Sequence, residues 1–241
     1  MLLKTRAIIF RSVKYGDSSL ILEMYTEQRG IRKYIVSGVR KARSSTPASK
    51  LQLMNLLEIV AYEREGKEMT RLKELQPALV YERIPFEIDR GTLGTFILEV
   101  ARNAIRESES NPALFAFLFA TFAHLDRAQD SVVNLHLHFM LAFSGYLGFM
   151  PGGEHSAATP LFDLKRGEFV GGFPGHTDYL DDDRAALMER LLSIPREDIS
   201  TIKTTRAERM GLLNDLIRYY RHHLEGFREP NSLAILRQVM Q

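Results

Sequence analysis

The spacing of apolar residues changes partway along the chain, and that change predicts two kinds of structure. Residues 6–14 (RAIIFRSVK) and 19–26 (SLILEMYT) are rich in β-branched and aromatic side chains, with the turn signal Tyr15-Gly16-Asp17 between them. Glu27-Gln28-Arg29-Gly30 reads as a hairpin loop whose glycine takes a positive φ, leading to a third strand at 31–37 (IRKYIVS). Residues 38–50 (GVRKARSSTPASK) are polar and basic without apolar periodicity, so they are expected to be a loop. Strands at 56–63 and 68–75 form a second hairpin around Glu65-Gly66-Lys67.

From about residue 81 the period becomes helical. Leu93, Phe96, Ile97, Val100, Ala101, Ala104 and Ile105 recur at i, i+3, i+4 and i+7. Asn111 caps a second helix with Pro112 in its first position, and the apolar run that follows (ALFAFLFATFAHL) should be central. A third helix is predicted over 132–147, followed by a Gly/Pro-rich insertion at 149–182 with at most a small hairpin around 162–169. Helices at 183–193 and 206–227 and a short one at 232–240 complete the chain. The fold class expected is therefore α+β with two domains. Residues 1–80 make a five-stranded closed barrel, most commonly of the oligonucleotide-binding (OB) type, and 81–241 make an all-α domain carrying the insertion.

Charge sharpens this division. The net charge is only +2, but residues 1–80 hold fifteen basic against eight acidic side chains, an excess of +7, and residues 81–241 carry −5. A basic β module joined to a mildly acidic helical one points to an anionic partner. The chain has no Cys, which excludes disulfides, thiolate zinc sites and cysteine nucleophiles and fits a reducing compartment. The opening MLLKTRAIIF lacks the features of a secretory signal. The apolar runs 114–125 and 135–150 are too short to span a bilayer and are interrupted by His124, His136 and His138, so no membrane association is expected.

The residues best suited to grip a polyanion lie in the basic loop: Arg40, Lys41, Arg43 and Lys50, with hydroxyls at Ser44, Ser45, Thr46 and Ser49. Each cation that meets a phosphate releases condensed counterions and adds affinity without reading sequence. Arg29, Arg32, Lys33 and Tyr34 flank the second hairpin turn, and Arg6, Arg11 and Lys14 on the first strand would extend a phosphate track. Tyr34 either stacks on an unpaired base or packs internally. Alternation puts it on the same face as Arg32 without saying which face is outward.

Several segments resemble the RecO family of bacterial recombination mediators. They are Tyr15-Gly16-Asp17-Ser18-Ser19-Leu20-Ile21-Leu22 with Tyr25-Thr26-Glu27-Gln28-Arg29-Gly30, and Ser37-Gly38-Val39-Arg40-Lys41-Ala42-Arg43-Ser44 with Leu51-Gln52-Leu53-Met54. Gly145-Tyr146-Leu147-Gly148-Phe149-Met150-Pro151, Phe162-Asp163-Leu164-Lys165-Arg166-Gly167-Glu168-Phe169 and Ser232-Leu233-Ala234-Ile235-Leu236 complete the likeness. The resemblance implies an OB-fold barrel and a helical domain. It implies binding of single- and double-stranded DNA, annealing of complementary strands, and help in loading recombinase onto DNA coated by single-strand-binding protein. It also implies two protein partners, RecR and the acidic C-terminal tail of single-strand-binding protein, and a cytoplasmic, nucleoid-associated location. Many members hold a four-cysteine zinc site in the insertion. This chain has no Cys, and His155 and His176 alone make a poor site, so the expectation is no cofactor and an insertion held by packing.

Other chemistry is weaker. Asp181-Asp182-Asp183 precedes a helix, where acids cap and offset the dipole. His136 and His138, and His222 and His223, lack the i, i+4 spacing of a metal pair. Val170–Gly175 lacks the Lys-Ser/Thr of a phosphate loop. No catalytic residue, metal ligand or enzymatic activity is expected. The acidic-tail partner would need an apolar groove with a basic rim. Arg218, Tyr219, Tyr220, Arg221 and Arg228, with Phe96 or Phe115, are candidates, although such aromatic stripes are usually core. The remaining alternatives are an RNA-binding or ribosome-associated barrel and a helical scaffold with the barrel as interaction module.

Overall fold

The computed structural model describes residues 2–39, 48–62, 69–106 and 109–239. Five strands close a barrel in the order β1 (Leu2–Tyr15), β2 (Ser19–Thr26), β3 (Gly30–Val36), β5 (Met69–Pro77) and β4 (Leu56–Tyr62). All neighbours pair antiparallel except β3 and β5, whose parallel pairing closes the ring. Gly30 does take a positive φ of 61° at the β2–β3 turn. The turn expected at Glu65-Gly66-Lys67 lies outside the described residues, although the β4–β5 pair it would join is present.

Period-2 alternation fills the barrel. Ala7 and Ile9 of β1, Leu22 and Met24 of β2, Tyr34 and Val36 of β3, and Leu57, Ile59 and Ala61 of β4 form one buried cluster with Val39 and Leu51. A second apolar layer lies on the outside. Ile8 and Tyr25 face each other in register on the outer surface, and Phe10 stacks on Tyr25 with ring centroids 5.6 Å apart. Helix α2 (Pro112–Arg127) covers this strip through Phe115, 6.0 Å from Tyr25. Asn111 caps α2 as expected, its side-chain oxygen accepting the Leu114 N–H at 3.0 Å. Buried Asp126 near its other end accepts the backbone N–H groups of Glu82, Arg83 and Ile84, fixing the segment that follows β5.

Close packing therefore divides the chain into residues 1–85 with 106–126, and 86–105 with 127–241. The boundary expected at residue 80 follows chain order, whereas α2 packs with the barrel.

The second unit contains α1 (Ile88–Ala104), α3 (Leu135–Tyr146), α4 (Asp182–Ser193), α5 (Arg206–His223) and α6 (Leu233–Val239). The insertion is more structured than its glycines suggested. It forms a three-stranded sheet of β6 (Leu161–Asp163), β7 (Glu168–Val170) and β8 (Tyr179–Leu180), with β6 in the centre. Phe162 packs between Phe169 and Tyr219 of α5, and Phe149 stacks on His223 at 5.4 Å. Around this lies a cluster of charges. Asp215 of α5 takes Arg184 at 2.8 Å and Arg218 at 2.6 Å, while Asp178 in the insertion meets Arg218, Lys165 and His222. Partial burial alone would raise the Asp178 pKa, yet the neighbouring positive groups outweigh it and hold this carboxyl below its ordinary value.

Asp181 caps α4, accepting the Arg184 N–H at 3.1 Å, and Asp182 meets His155. Thr205 and Glu208 form a capping box at the start of α5. His136 of α3 is fully buried. Desolvation, with Arg209 nearby, depresses its pKa to about 3. The unfolded chain takes up a proton on this ring near pH 6.5 that the folded chain refuses until about 3. Stability should therefore fall as pH drops through that interval. In urea unfolding between pH 4 and 6, His136→Leu should flatten the pH dependence, and an unchanged slope would refute this assignment.

Candidate nucleic-acid interface

The outer face of β1 is governed by one extra residue. Up to Ile9, odd-numbered residues of β1 point inward: Ile9 pairs with Met24, and both are buried. A bulge between Ile9 and Arg11 resets the register, so that Arg11 pairs with Glu23 and Val13 with Ile21. These partners lie on the outer side of β2, opposite in parity to the buried Leu22 and Met24. Arg11, Val13 and Tyr15 are thus turned outward.

Two cross-strand rows result. One reads Arg11, Glu23, Lys33, Met69 across β1, β2, β3 and β5, and the next reads Val13, Ile21, Ile35, Arg71. Adjacent strands stand ~4.8 Å apart, so each row crosses roughly 15 Å of surface. Arg11, Lys33 and Arg71 are exposed, and Val13, Ile21 and Ile35 are wholly or partly exposed between them. Arg11, Lys33 and Arg71 form no salt bridge among the described residues. The arrangement is an apolar strip of Val13, Ile21 and Ile35 bordered by Arg11, Lys33 and Arg71, with Glu23 between the first two cations; the cations can take phosphates and the strip base faces.

The other expected site residues divide into three groups. Lys14 and Arg29 are exposed and form no salt bridge among the described residues. They lie apart, however: Lys14 is next to the Gly16 turn, and Arg29 is in the turn at the opposite end of β2. Lys50 is half-buried in a short 3-10 helix (Ala48–Leu51) whose Leu51 enters the barrel core. Arg40, Lys41 and Arg43 lie outside the described residues; Val39 and Leu51, on either side of them, are both buried in the barrel core.

The third group is corrected. Tyr34 is fully buried inside the barrel, so it offers no open ring for stacking. Arg32 shares that inward parity and donates to the Ile31 carbonyl at 2.9 Å. Arg6 faces outward but is committed. Its guanidinium makes a two-point pair with Glu27, 2.9 Å at Nε, and lies over the rings of Phe115 and Phe119 at 5.4 and 5.1 Å. The Arg6 hydrogen bonds hold the Glu27 carboxyl below its ordinary range. Arg6 therefore clamps α2 to the barrel.

The aromatic groove expected around α5 does not form among the described residues. Tyr219, Tyr220, Phe96 and Phe115 are buried, Arg218 serves Asp215 and Asp178, and Arg221 pairs with Glu229. Two exposed residues went unnoticed in the sequence: Arg71, in a strand whose facing is set by the parallel closure, and Tyr15, which reads simply as part of a turn.

The sequence model described as Recombination protein O N terminal matches residues 1–81, and that described as Recombination protein O C terminal matches 85–233. The chain belongs to the RecO family. It is 36% identical over 240 residues to the DNA repair protein RecO of Christiangramia forsetii, covering 99% of both chains. It is 32% identical to that of Flavobacterium psychrophilum and 31% to that of Bacteroides fragilis, again with 99% coverage of both. RecO proteins act in DNA repair, and the names of these relatives specify no enzymatic reaction. Among the described residues no helix is long and apolar enough to cross a membrane.

Because Arg6 is occupied by α2, Arg6→Ala should lower folding stability by about 1 kcal/mol, the scale of a half-exposed cation–aromatic and ion pair. Nucleic-acid affinity should stay unchanged. Denaturant unfolding and a binding titration on the same variant separate the two roles, and a selective loss of binding would return Arg6 to the interface.

Proposed function

We propose that this chain is a non-enzymatic DNA-binding protein of recombinational repair. On this reading it anneals complementary strands and helps load recombinase onto single-stranded DNA coated by single-strand-binding protein. The observation that carries the reading is the cluster of unpaired cations, Arg11, Lys33 and Arg71, bordering an apolar strip on the barrel of a RecO-family chain. Two strands brought onto such a surface have their mutual repulsion neutralised, which lowers the barrier to pairing. The affinity is electrostatic and independent of sequence. The basic loop with Arg40, Lys41, Arg43 and Lys50 adds to the same field, and the helical unit, with its acidic excess, recruits protein. The partners are single- and double-stranded DNA, RecR and the acidic tail of single-strand-binding protein, met in the cytoplasm at the nucleoid.

The insertion is proposed to work without metal. The residues present do not suit the family's zinc site: His155 is engaged with Asp182 and His176 with Asp163, and the described residues include no group of three metal-binding side chains. Aromatic packing and the Asp215 and Asp178 ion pairs support the insertion instead. A chelator should leave the thermal unfolding midpoint unmoved, and a drop would reveal a bound ion.

Strand annealing of complementary oligonucleotides, bare or coated with single-strand-binding protein, tests the main reading. Annealing should weaken steeply with salt. Replacing Arg11 and Lys33 together with Ala should slow it and reduce the slope of log affinity against log salt for single strands by about 1.4, two phosphate contacts at ~0.7 each. Salt-independent binding would defeat the proposal, and preferential capture of a matched RNA would redirect it to the other polymer.

A further inference from the structure

Building on the DNA-binding reading above, we propose that Tyr15 is a base-stacking residue that makes the barrel favour single-stranded over double-stranded DNA. Tyr15 ends β1, and the residue is 49% exposed. It has no hydrogen bond, ion pair or ring partner among the described residues. Phe10, Tyr25, Tyr34 and Phe115 of the barrel unit are buried, whereas Tyr15 and Tyr62, on β1 and β4, are exposed, and Tyr15 alone of these two lies on the strand of Arg11.

Position supplies the second argument. Past the bulge, Arg11, Val13 and Tyr15 occupy successive outward places on one strand, ~6.8 Å apart. The ring therefore continues the line that begins with the Arg11 cation and passes over Val13. Gly16, at a φ of +56°, turns the chain away immediately afterwards, and a Cβ built there meets nothing within 4 Å. The space beside the end of β1 is therefore open at Gly16, next to the Tyr15 ring.

The chemistry discriminates between polymers. A single strand can offer the face of an unstacked base to a ring while its phosphates meet the cations. A duplex offers the same phosphates but keeps its bases stacked inside. Arg11 and Lys33 serve both forms, and Tyr15 serves only one.

The test measures affinity for an oligo-dT strand and for a blunt duplex of equal length, using the full chain. Tyr15→Ala should weaken oligo-dT binding at least about fivefold, the lower end of what one base–aromatic stack contributes, with duplex affinity and the thermal unfolding midpoint unchanged. Tyr15→Phe should retain binding, since the ring and not the hydroxyl acts. The natural chain has no Trp, so Tyr15→Trp supplies a single reporter whose fluorescence should be quenched by oligo-dT and not by duplex. Tyr62→Ala, a barrel tyrosine of similar exposure (46%), should leave both affinities unchanged. Unaltered oligo-dT affinity in Tyr15→Ala, an equal loss for both polymers, an equal loss in Tyr62→Ala, or an unquenched tryptophan would each overturn the inference while leaving the cation cluster standing. A wild-type chain that binds neither polymer would remove the underlying reading and this inference with it.

Discussion

The arrangement of the barrel surface depends on the single-residue bulge at Phe10. A strand alternates its side chains between two faces, so one inserted residue exchanges the faces for everything that follows. In β1 this allows one strand to serve two surfaces. Before the bulge, Arg6 and Ile8 point outward, Phe10 stacks on Tyr25, and Arg6 and Tyr25 meet α2 through Phe115. After it, Arg11, Val13 and Tyr15 point outward onto open solvent. Without the bulge, Arg11 would face the barrel interior, where an unpaired guanidinium is prohibitively costly.

The helix on the outside of the barrel limits what remains for a ligand. Helix α2 buries an apolar strip that would otherwise invite aggregation, and its Phe115 and Phe119 rings hold an Arg6 that Glu27 of the β2–β3 turn has already paired. What is left uncovered is the part of β1, β2, β3 and β5 beyond the bulge, where positive charge and exposed apolar area coincide. In the second unit the same economy runs the other way. Arg218, His222 and His223 of α5, which look available in the sequence, are taken by Asp215, Asp178 and the Leu164 carbonyl and hold the insertion, while Arg221 is taken by Glu229.

Much of the fold was legible because it is written in local rules. β2 was bounded to the residue at both ends, the Asn111-Pro112 start of α2 follows from capping chemistry, and the Asp181 run marks a helix start. The small hairpin expected around residues 162–169 is present as β6 and β7, whereas the third strand, β8, is only two residues long and leaves no periodic trace. Among the expected site residues, Arg11 and Lys33 lie exposed on the outer barrel face, whereas Tyr34 is buried inside the barrel, Arg32 shares its inward parity, and Arg6 is held by Glu27 and the rings of α2.

The sequence by itself determined the identity of the elements, the gathering of positive charge in the first third of the chain, and the family, because these depend on residue type and near-neighbour spacing. The tertiary structure alone decided which of those charges are free. Facing on a strand is a matter of parity, which one bulge reverses, and an ion pair such as Arg6 with Glu27 depends on the register in which β1 and β2 pair. Local pattern carries neither kind of information.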